Sequence, residues 1–136
     1  METDAQSHLQ KLLPFFNRSP VAMAETSIRG DIRQVNPKAV QLIMPLAMHL
    51  GLPGDNLLDT LGGFLPQLNQ TVTEFPAESG LVIGQEPYVV RFSVGQSLIE
   101  RHFNLTIEKN TADSLIIFFE DVTDFLLKAD ALRQQS

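Results

Sequence analysis

The feature that most constrains the fold of this chain is a pair of short apolar segments around a glycine near the N-terminus. Residues 21–27 and 32–35 flank Gly30, and glycine readily adopts the positive φ angles that a tight turn requires. Asn36 and Pro37 follow directly. An Asn side chain accepts hydrogen bonds from the free N–H groups of a helix, and proline fits the first helical position because its missing N–H costs nothing there. The segment therefore predicts a β-hairpin that leads into a capped helix.

The middle of the chain predicts short helices separated by turns. The first helix is expected to be short, with three residues facing the core: Ala39, Val40 and Ile43. Residues 44–86 are rich in Gly and Pro, which interrupt regular structure. Within this stretch we expect a helix over 56–61 that is capped by Asp55, and a further helix over about 64–75.

The second half of the chain predicts three strands. Residues 88–94 alternate apolar and polar side chains, which is the period of a half-buried strand. In the next strand Phe103, Leu105 and Ile107 share one face, and the polar residues between them share the other. Residues 115–119 are apolar without a break, which favours a strand buried on both faces in the middle of the sheet.

Amphipathic helices are predicted at both ends of the chain. Residues 4–16 carry apolar side chains at helical spacing, and Asp121 is placed to cap a final helix. In that final helix Phe125, Ala129 and Leu132 form an apolar stripe. Because this sequence leaves nothing for the stripe to pack along, the pattern indicates the start of a coiled coil.

Composition limits the classes of function. The chain has 136 residues, of which 43% are hydrophobic, and this is enough for one domain with its own core. Its formal net charge is −6, and an acidic surface repels phosphate backbones, so binding to nucleic acid is not expected. Its apolar runs are too short to span a bilayer, and residues 1–20 lack the features of a signal peptide. We therefore expect a cytoplasmic protein without membrane contact.

The order of the predicted elements indicates an α+β fold, with helices over one face of an antiparallel sheet. Three segments resemble the PAS family of sensor domains. Residues 26–37 contain the hairpin and its Asn-Pro helix entry, and residues 100–107 read as the family's fourth strand. Residues 115–124 resemble its last strand, followed by the Asp-Val-Thr signature that leads into an output helix.

This resemblance implies a five-stranded antiparallel sheet of order 2-1-5-4-3, with short helices on one face and a cavity for a small molecule or cofactor. It divides the chain into an N-terminal helix and linker (1–20), a PAS core (21–121) and the start of a C-terminal signalling helix (122–136). It also implies a homodimer formed through the N- and C-terminal helices. A covalently linked output domain is expected, such as a histidine kinase, a diguanylate cyclase or phosphodiesterase, or a transcription factor of a bacterial-type or two-component signalling protein.

The residue types restrict the cofactor. The chain has no cysteine, which excludes the flavin adduct and the covalent chromophore of light sensors in this family, and covalent haem as well. Noncovalent flavin and haem held by an imidazole stay open. His49 is the candidate haem ligand, because it falls in the region where haem-binding members of the family hold theirs. The alternative for His49 is an ordinary, partly buried histidine at a helix end.

The resemblance also assigns roles to particular residues. Four side chains are expected to line the ligand pocket: Met44, Met48, Phe92 and Phe103. Asp121 and Thr123 are expected to form the joint that relays conformational change, or simply to cap a helix, which is worth about 1 kcal/mol. Arg91, Arg101 and Tyr88 would meet an anionic ligand if they faced inward, although the alternation of residues favours a solvated sheet face for Arg91.

No nucleophile elbow, phosphate loop, zinc motif or paired carboxylate cluster is present in the sequence, so no enzymatic activity is expected. The leading hypothesis is a sensory PAS domain that regulates an output domain through a dimeric helix. The alternative is a PAS-type dimerisation or protein-interaction module without a ligand, its interior filled by its own side chains. A small enzyme or lipid carrier of similar shape is a third interpretation.

Overall fold

The computed structural model describes residues 15–135, in which nine helices and strands follow a short helical stretch at 15–18. In chain order they are β1 (Ala22–Ser27), β2 (Ile32–Val35), α1 (Pro37–Leu50), α2 (Leu57–Gly62), α3 (Leu68–Glu74), β3 (Gly80–Val94), β4 (Ser97–Thr111), β5 (Ser114–Asp121) and α4 (Thr123–Gln135). The helix predicted over 4–16 lies almost entirely outside the described residues, so it stays a prediction.

The five strands form one antiparallel sheet in the order β2-β1-β5-β4-β3, which confirms the predicted fold class and strand order. β5 pairs with β1 on one side and with β4 on the other. Leu115, Ile117 and Phe119 of β5 are fully buried, whereas Ile116 and Phe118 on the opposite face are half-buried. The central position predicted for this strand is therefore confirmed, but its burial is complete on one face only.

The core lies between three helices and one face of the sheet, which we call the inner face. β1, β4 and β5 contribute alternate residues to the core, and β3 contributes buried residues such as Val90. The alternate residues include Ala22 and Ala24 from β1 and Phe103, Leu105 and Ile107 from β4. The helices contribute Ile43, Leu57, Leu58, Leu61 and Leu68. Because side chains of a strand alternate in direction, the residues between these positions lie on the opposite, outer face.

Asn36 begins α1 and connects it to β1. Its side chain is fully buried, and its amide oxygen accepts hydrogen bonds from the backbone N–H groups of Ala39 at 2.9 Å and Met23 at 3.0 Å. Its amide nitrogen donates to the carbonyl oxygens of Val21 at 2.9 Å and Phe16 at 3.2 Å. The predicted helix cap is confirmed, and the same side chain also holds the start of the first strand in place.

α1 is longer than predicted, since it continues through Pro45 to Leu50. Ala39, Ile43 and Ala47 lie on the stripe that faces the sheet, at the spacing of a helix face. Val40 is one position away from this stripe and is 42% exposed, so the prediction that it is buried was wrong.

The two short helices also begin later than predicted. Asn56, rather than Asp55, caps α2, because its side-chain oxygen accepts a hydrogen bond from the backbone N–H of Asp59 at 2.9 Å. The helix expected over 64–75 is confined to α3, which begins at Leu68. The chain before it, which includes Pro66, forms turns.

β3 extends over fifteen residues instead of the seven predicted over 88–94. Its first half carries no clear alternation because its pairing with β4 shifts register twice between Leu81 and Glu86. Gln85 lies in this irregular part with a left-handed φ of 46°. Each bulge moves the following side chains to the other face, which removes the pattern by which a strand is recognised in a sequence.

Candidate functional site

A cavity of about 300 Å³ lies between α3 and the inner face of the sheet, and we call it the inner cavity. Its helix side is formed by Leu65, Pro66, Gln67, Leu68 and Thr71, and its sheet side by Ile83, Glu86, Pro87, Tyr88 and Leu105. These ten lining residues are mostly apolar. Glu86 is the one carboxylate among them, and they include no Lys, Arg or His.

Tyr88 is the aromatic residue of this cavity wall. Its side chain is 8% exposed, and its ring stacks on that of Phe103 with the ring centroids 5.5 Å apart. Among residues 15–135 no group lies within hydrogen-bonding distance of the buried Tyr88 hydroxyl. Burial raises the pKa of Tyr88 above its usual value, and the negative charge of Asp121 raises it further. The phenol is therefore uncharged at neutral pH.

Arg101, Asp121 and Thr123 form a cluster that we call the Asp121 joint. The Arg101 guanidinium donates to Asp121 Oδ2 from Nε at 2.9 Å and from Nη2 at 2.7 Å. The other carboxylate oxygen accepts from the Thr123 backbone N–H at 3.0 Å and from the Thr123 hydroxyl at 2.6 Å. One carboxylate thus connects β4, the end of β5 and the first residue of α4.

The hydrogen bonds of the joint favour the ionised form of Asp121. Burial alone would raise the pKa of Asp121, but the hydrogen bonds donated by Thr123 and Arg101 outweigh it, so the pKa lies below its usual value. The backbone of β4 strengthens the connection, because the His102 N–H donates to the Thr123 hydroxyl at 2.8 Å. The His102 carbonyl in turn accepts from the Val122 N–H at 2.8 Å. Two hydrogen bonds from the backbone of His102 therefore fix this part of β4 to the start of α4.

A second cavity, of about 440 Å³, lies where α4 leaves the sheet. It is lined by Pro87, Tyr88, Val89, His102, Phe103, Asn104, Val122, Phe125 and Leu126. Beside it, Glu100 accepts hydrogen bonds at 3.0 Å from Arg91 and, depending on the tautomer, from His102. The hydrogen bond from Arg91 lowers the pKa of Glu100, although desolvation acts in the opposite direction. This polar group is exposed, as predicted for the Arg91 side of β3.

The structure distributes the predicted pocket residues over different surfaces. Met44 and Met48 lie on the outward side of α1, 40% and 73% exposed, and line neither of the two cavities described above. Phe92 is half-buried, and its ring lies 5.5 Å from that of His49. Phe103 is buried on the inner face and contributes to the second cavity.

His49, the candidate haem ligand, lies near the end of α1 with its side chain exposed. Its ring packs against Phe64, at 6.5 Å between centroids, and against Phe92. It contributes to the wall of neither cavity described above. Its place at a helix end is that of the alternative interpretation, although its side chain is exposed and not partly buried.

From the sequence alone, Arg101 and Tyr88 were expected only as contacts for an anionic ligand. Both do face inward, but the charge of Arg101 is neutralised by Asp121 and is not directed at the inner cavity. The pairing was foreseeable, since Arg101 is two residues from the inward-facing Phe103 and therefore shares its face. The contact with Asp121 depends on the register of β4 and β5, which places Phe103 opposite Asp121.

The architecture matches that of a solved PAS domain. The PAS domain of an HTR-like protein from Haloarcula marismortui superposes with a TM-score of 0.52 at 13% sequence identity, over 88% of this chain and 96% of that domain. This chain folds as a PAS domain. The predicted resemblance is thereby confirmed at the level of the fold. No family model and no curated protein sequence matches the chain.

Two further PAS-fold structures superpose less closely. The photoactive yellow protein domain of the sensor histidine kinase Ppr from Rhodospirillum centenum has a TM-score of 0.48 at 14% identity, over 78% of this chain and 95% of that one. The PAS domain of Bordetella pertussis BvgS has a TM-score of 0.49 at 15% identity, over 96% and 99% of the two chains.

Two kinds of feature are not found in the described part of this chain. Within residues 15–135, no group of three or more His, Asp or Glu side chains is placed to hold a metal ion. In the same range, no helix is long and apolar enough to cross a membrane.

Proposed function

We propose that this chain is a sensory PAS module, which converts the occupancy of its inner cavity into a change at α4 and so regulates an attached output domain. The observation that carries the proposal is the Asp121 joint, in which one carboxylate accepts four hydrogen bonds from β4 and α4. The bonds from Thr123 alone would be enough to hold the first residue of α4. The two additional bonds from Arg101 connect the output helix to the strand that lines the cavity.

The route from the inner cavity to α4 is short. Tyr88 lies in the cavity wall and stacks on Phe103, and Phe103 lies opposite Asp121 in the sheet. A molecule that displaces Tyr88 would therefore shift Phe103 and, through it, the neighbouring side chains of Arg101 and Asp121. In this proposal the signal consists of a small movement between tightly packed neighbours, and no large rearrangement is needed.

The proposed module acts as a homodimer, with α4 as part of the interface. Phe125 and Leu132 are 71% and 68% exposed, and they lie two turns apart on the same side of α4. Pairing of two such helices would bury both residues in the manner of a coiled coil. The N-terminal helix, whose predicted span lies outside the described residues, is proposed to contribute to the same dimer.

A two-stage experiment tests the sensory function. Native mass spectrometry and absorption spectroscopy of freshly purified protein would first reveal a co-purifying small molecule or chromophore. Amide hydrogen exchange of residues 123–126 would then be compared before and after the molecule is removed by unfolding and refolding. In the wild type we expect exchange to be faster in one of the two states. In Asp121→Asn the difference in exchange rate between the two states should be at least several-fold smaller.

The same experiment can overturn the proposal. A protein that carries no molecule, gives no thermal shift with a metabolite library and still dimerises would instead be an interaction module.

One observation favours this second function. The outer face of the sheet carries Ile116, Phe118 and Val89 only half-buried, and these side chains could be covered by a partner. Substituting Phe118→Ser, with exposed Thr73→Ser as a control, should then weaken partner binding without unfolding the domain.

A further inference from the structure

The inner cavity has mostly apolar walls with a single charged side chain. Apolar side chains from α3 and the sheet form most of the surface, and Glu86 is the single charged residue among the ten that line it. Tyr88 is also titratable, but burial and the charge of Asp121 raise its pKa, so it remains uncharged. The cavity therefore offers one negative charge, one aromatic face and no positive charge.

Glu86 is held beside the cavity by the strand. It lies two residues before Tyr88 in β3, and residues two apart in a strand share a face. Across the sheet it is opposite the buried Leu105, which is also a wall residue. Neither an ion pair nor a side-chain hydrogen bond is found for Glu86 within residues 15–135, so its carboxylate is free to meet a ligand.

The buried hydroxyl of Tyr88 is a second, independent indication of a ligand. An unpaired buried hydroxyl costs free energy, and native interiors rarely contain one without a functional reason. Tyr88 lines both the inner cavity and the second cavity, so a molecule bound in the inner cavity would contact this residue and change the surroundings of its side chain.

We propose that the inner cavity binds a small primary amine with an apolar body, whose ammonium group pairs with Glu86. The apolar body would lie among Leu68, Ile83 and Leu105, against the ring of Tyr88. An ammonium group near an aromatic ring gains further attraction from the electrons of its face. This inference rests on the proposed sensory function and specifies the chemistry of its ligand.

The charges of the chain disfavour an anionic ligand. A carboxylate or phosphate in this cavity would lie near Glu86 without a positive partner in the wall. Two cations of β4 lie four residues from Leu105 on the same face, and neither lines the cavity. Arg101 already donates two hydrogen bonds to Asp121, and the Lys109 ammonium lies 6.0 Å from the centroid of the Phe75 ring. The net charge of −6 would also repel an anion during its approach.

Three probe molecules of the same shape test this proposal: 2-cyclohexylethylamine, 2-cyclohexylethanol and 3-cyclohexylpropionate. Binding would be followed through backbone amide resonances of residues 65–71 and 83–88. The intrinsic fluorescence offers a second readout, because Tyr88 is the one tyrosine in a chain without tryptophan. The saturated rings of the probes do not absorb where tyrosine is excited.

We expect the amine to bind about three- to tenfold more tightly than the alcohol, the range of a partly solvated ion pair. The carboxylate should bind more weakly than both. Glu86→Gln should abolish the preference for the amine and leave the affinity for the alcohol unchanged. Glu108→Gln, which removes an equal charge from an exposed position on the outer face, should leave the preference intact.

Four outcomes would overturn the proposal. They are binding of the carboxylate as tightly as the amine, an unchanged preference in Glu86→Gln, an equal loss in Glu108→Gln, and the absence of any shift in the cavity wall with the amine. Failure of the sensory function would look different. In that case the amine would bind with the expected dependence on Glu86, while hydrogen exchange of residues 123–126 would not respond.

Discussion

The Arg101 guanidinium and the Asp121 carboxylate, twenty residues apart in sequence, are joined by two hydrogen bonds of 2.9 and 2.7 Å across β4 and β5. The Asp121 side chain is only 12% exposed, and its second oxygen holds the first residue of α4. Through this arrangement one ion pair contributes both to the sheet and to the start of α4.

Replacing Asp121 with Asn should destabilise the domain by about 1–3 kcal/mol at neutral pH, since hydrogen bonds to a charged group in a sheltered position are lost. Urea denaturation followed by circular dichroism would measure this difference. Glu120→Gln removes the same charge from the neighbouring exposed residue and should change the unfolding free energy little. Equal effects of the two substitutions would show that the joint contributes nothing specific.

The stabilisation by Asp121 should depend on pH. Because the pKa of Asp121 is lowered in the folded state, its contribution is complete above the pKa of the unfolded chain, about 3.9, and is lost as pH falls through the lower folded value. The difference in unfolding free energy between wild type and Asp121→Asn should thus be constant from pH 7 to about pH 5 and shrink below about pH 4. A difference that persists undiminished at pH 3 would contradict this prediction.

The two asparagine caps should contribute different amounts to the free energy of unfolding because they differ in burial. Asn36→Ala removes four hydrogen bonds in a fully buried position and should cost about 3 kcal/mol or more, since backbone groups are left unpaired. Asn56→Ala removes the cap of α2 in a half-exposed position and should cost about 1 kcal/mol. Thermal and urea unfolding of both variants would rank them, and the reverse order would show that burial is not decisive here.

Gly30 should not tolerate a side chain. Its φ is +100°, and an added Cβ would lie 2.5 Å from Asn56 Oδ1 and 2.7 Å from the Leu58 Cβ. Gly30→Ala should therefore destabilise the domain by at least about 2 kcal/mol, from backbone strain and collision together. Gly95 also has a positive φ, of 62°, but has open space around it, so Gly95→Ala isolates the strain and should cost about 1 kcal/mol. Similar losses in both variants would indicate that the contact with Asn56 is relieved easily.

Removing the Tyr88 hydroxyl should stabilise the domain in the absence of ligand. Tyr88→Phe keeps the ring on Phe103 and deletes a buried donor without a partner, so unfolding free energy should rise by about 1 kcal/mol. Thr60→Val removes an equally buried hydroxyl that donates to the Asn56 carbonyl at 3.1 Å, and it should not stabilise. A destabilised Tyr88→Phe protein would mean that the hydroxyl has a partner in solution.

Much of the fold could be predicted because its signals are local. Gly30, Asn36 and Pro37 impose their backbone conformations within a few residues, and the alternation around Phe103 fixes which side of β4 is buried. The beginning of β3 could not be predicted, since its bulges disturb the alternation. Asp121 and Thr123 stood out in the sequence by their place in a motif, whereas Met44 and Met48, expected in a ligand pocket, line neither cavity described above.

By itself the sequence determined the hairpin, the Asn36 cap, the faces of the later strands and the α+β order of elements, because each depends on short-range geometry or on hydrophobic period. The tertiary structure alone decided that Arg101 reaches Asp121 and that Glu86 shares a cavity with α3. It also decided that the Tyr88 hydroxyl lies buried without a partner in the described chain. These relationships depend on strand register and on how helices pack over the sheet, and distant parts of the chain set both together.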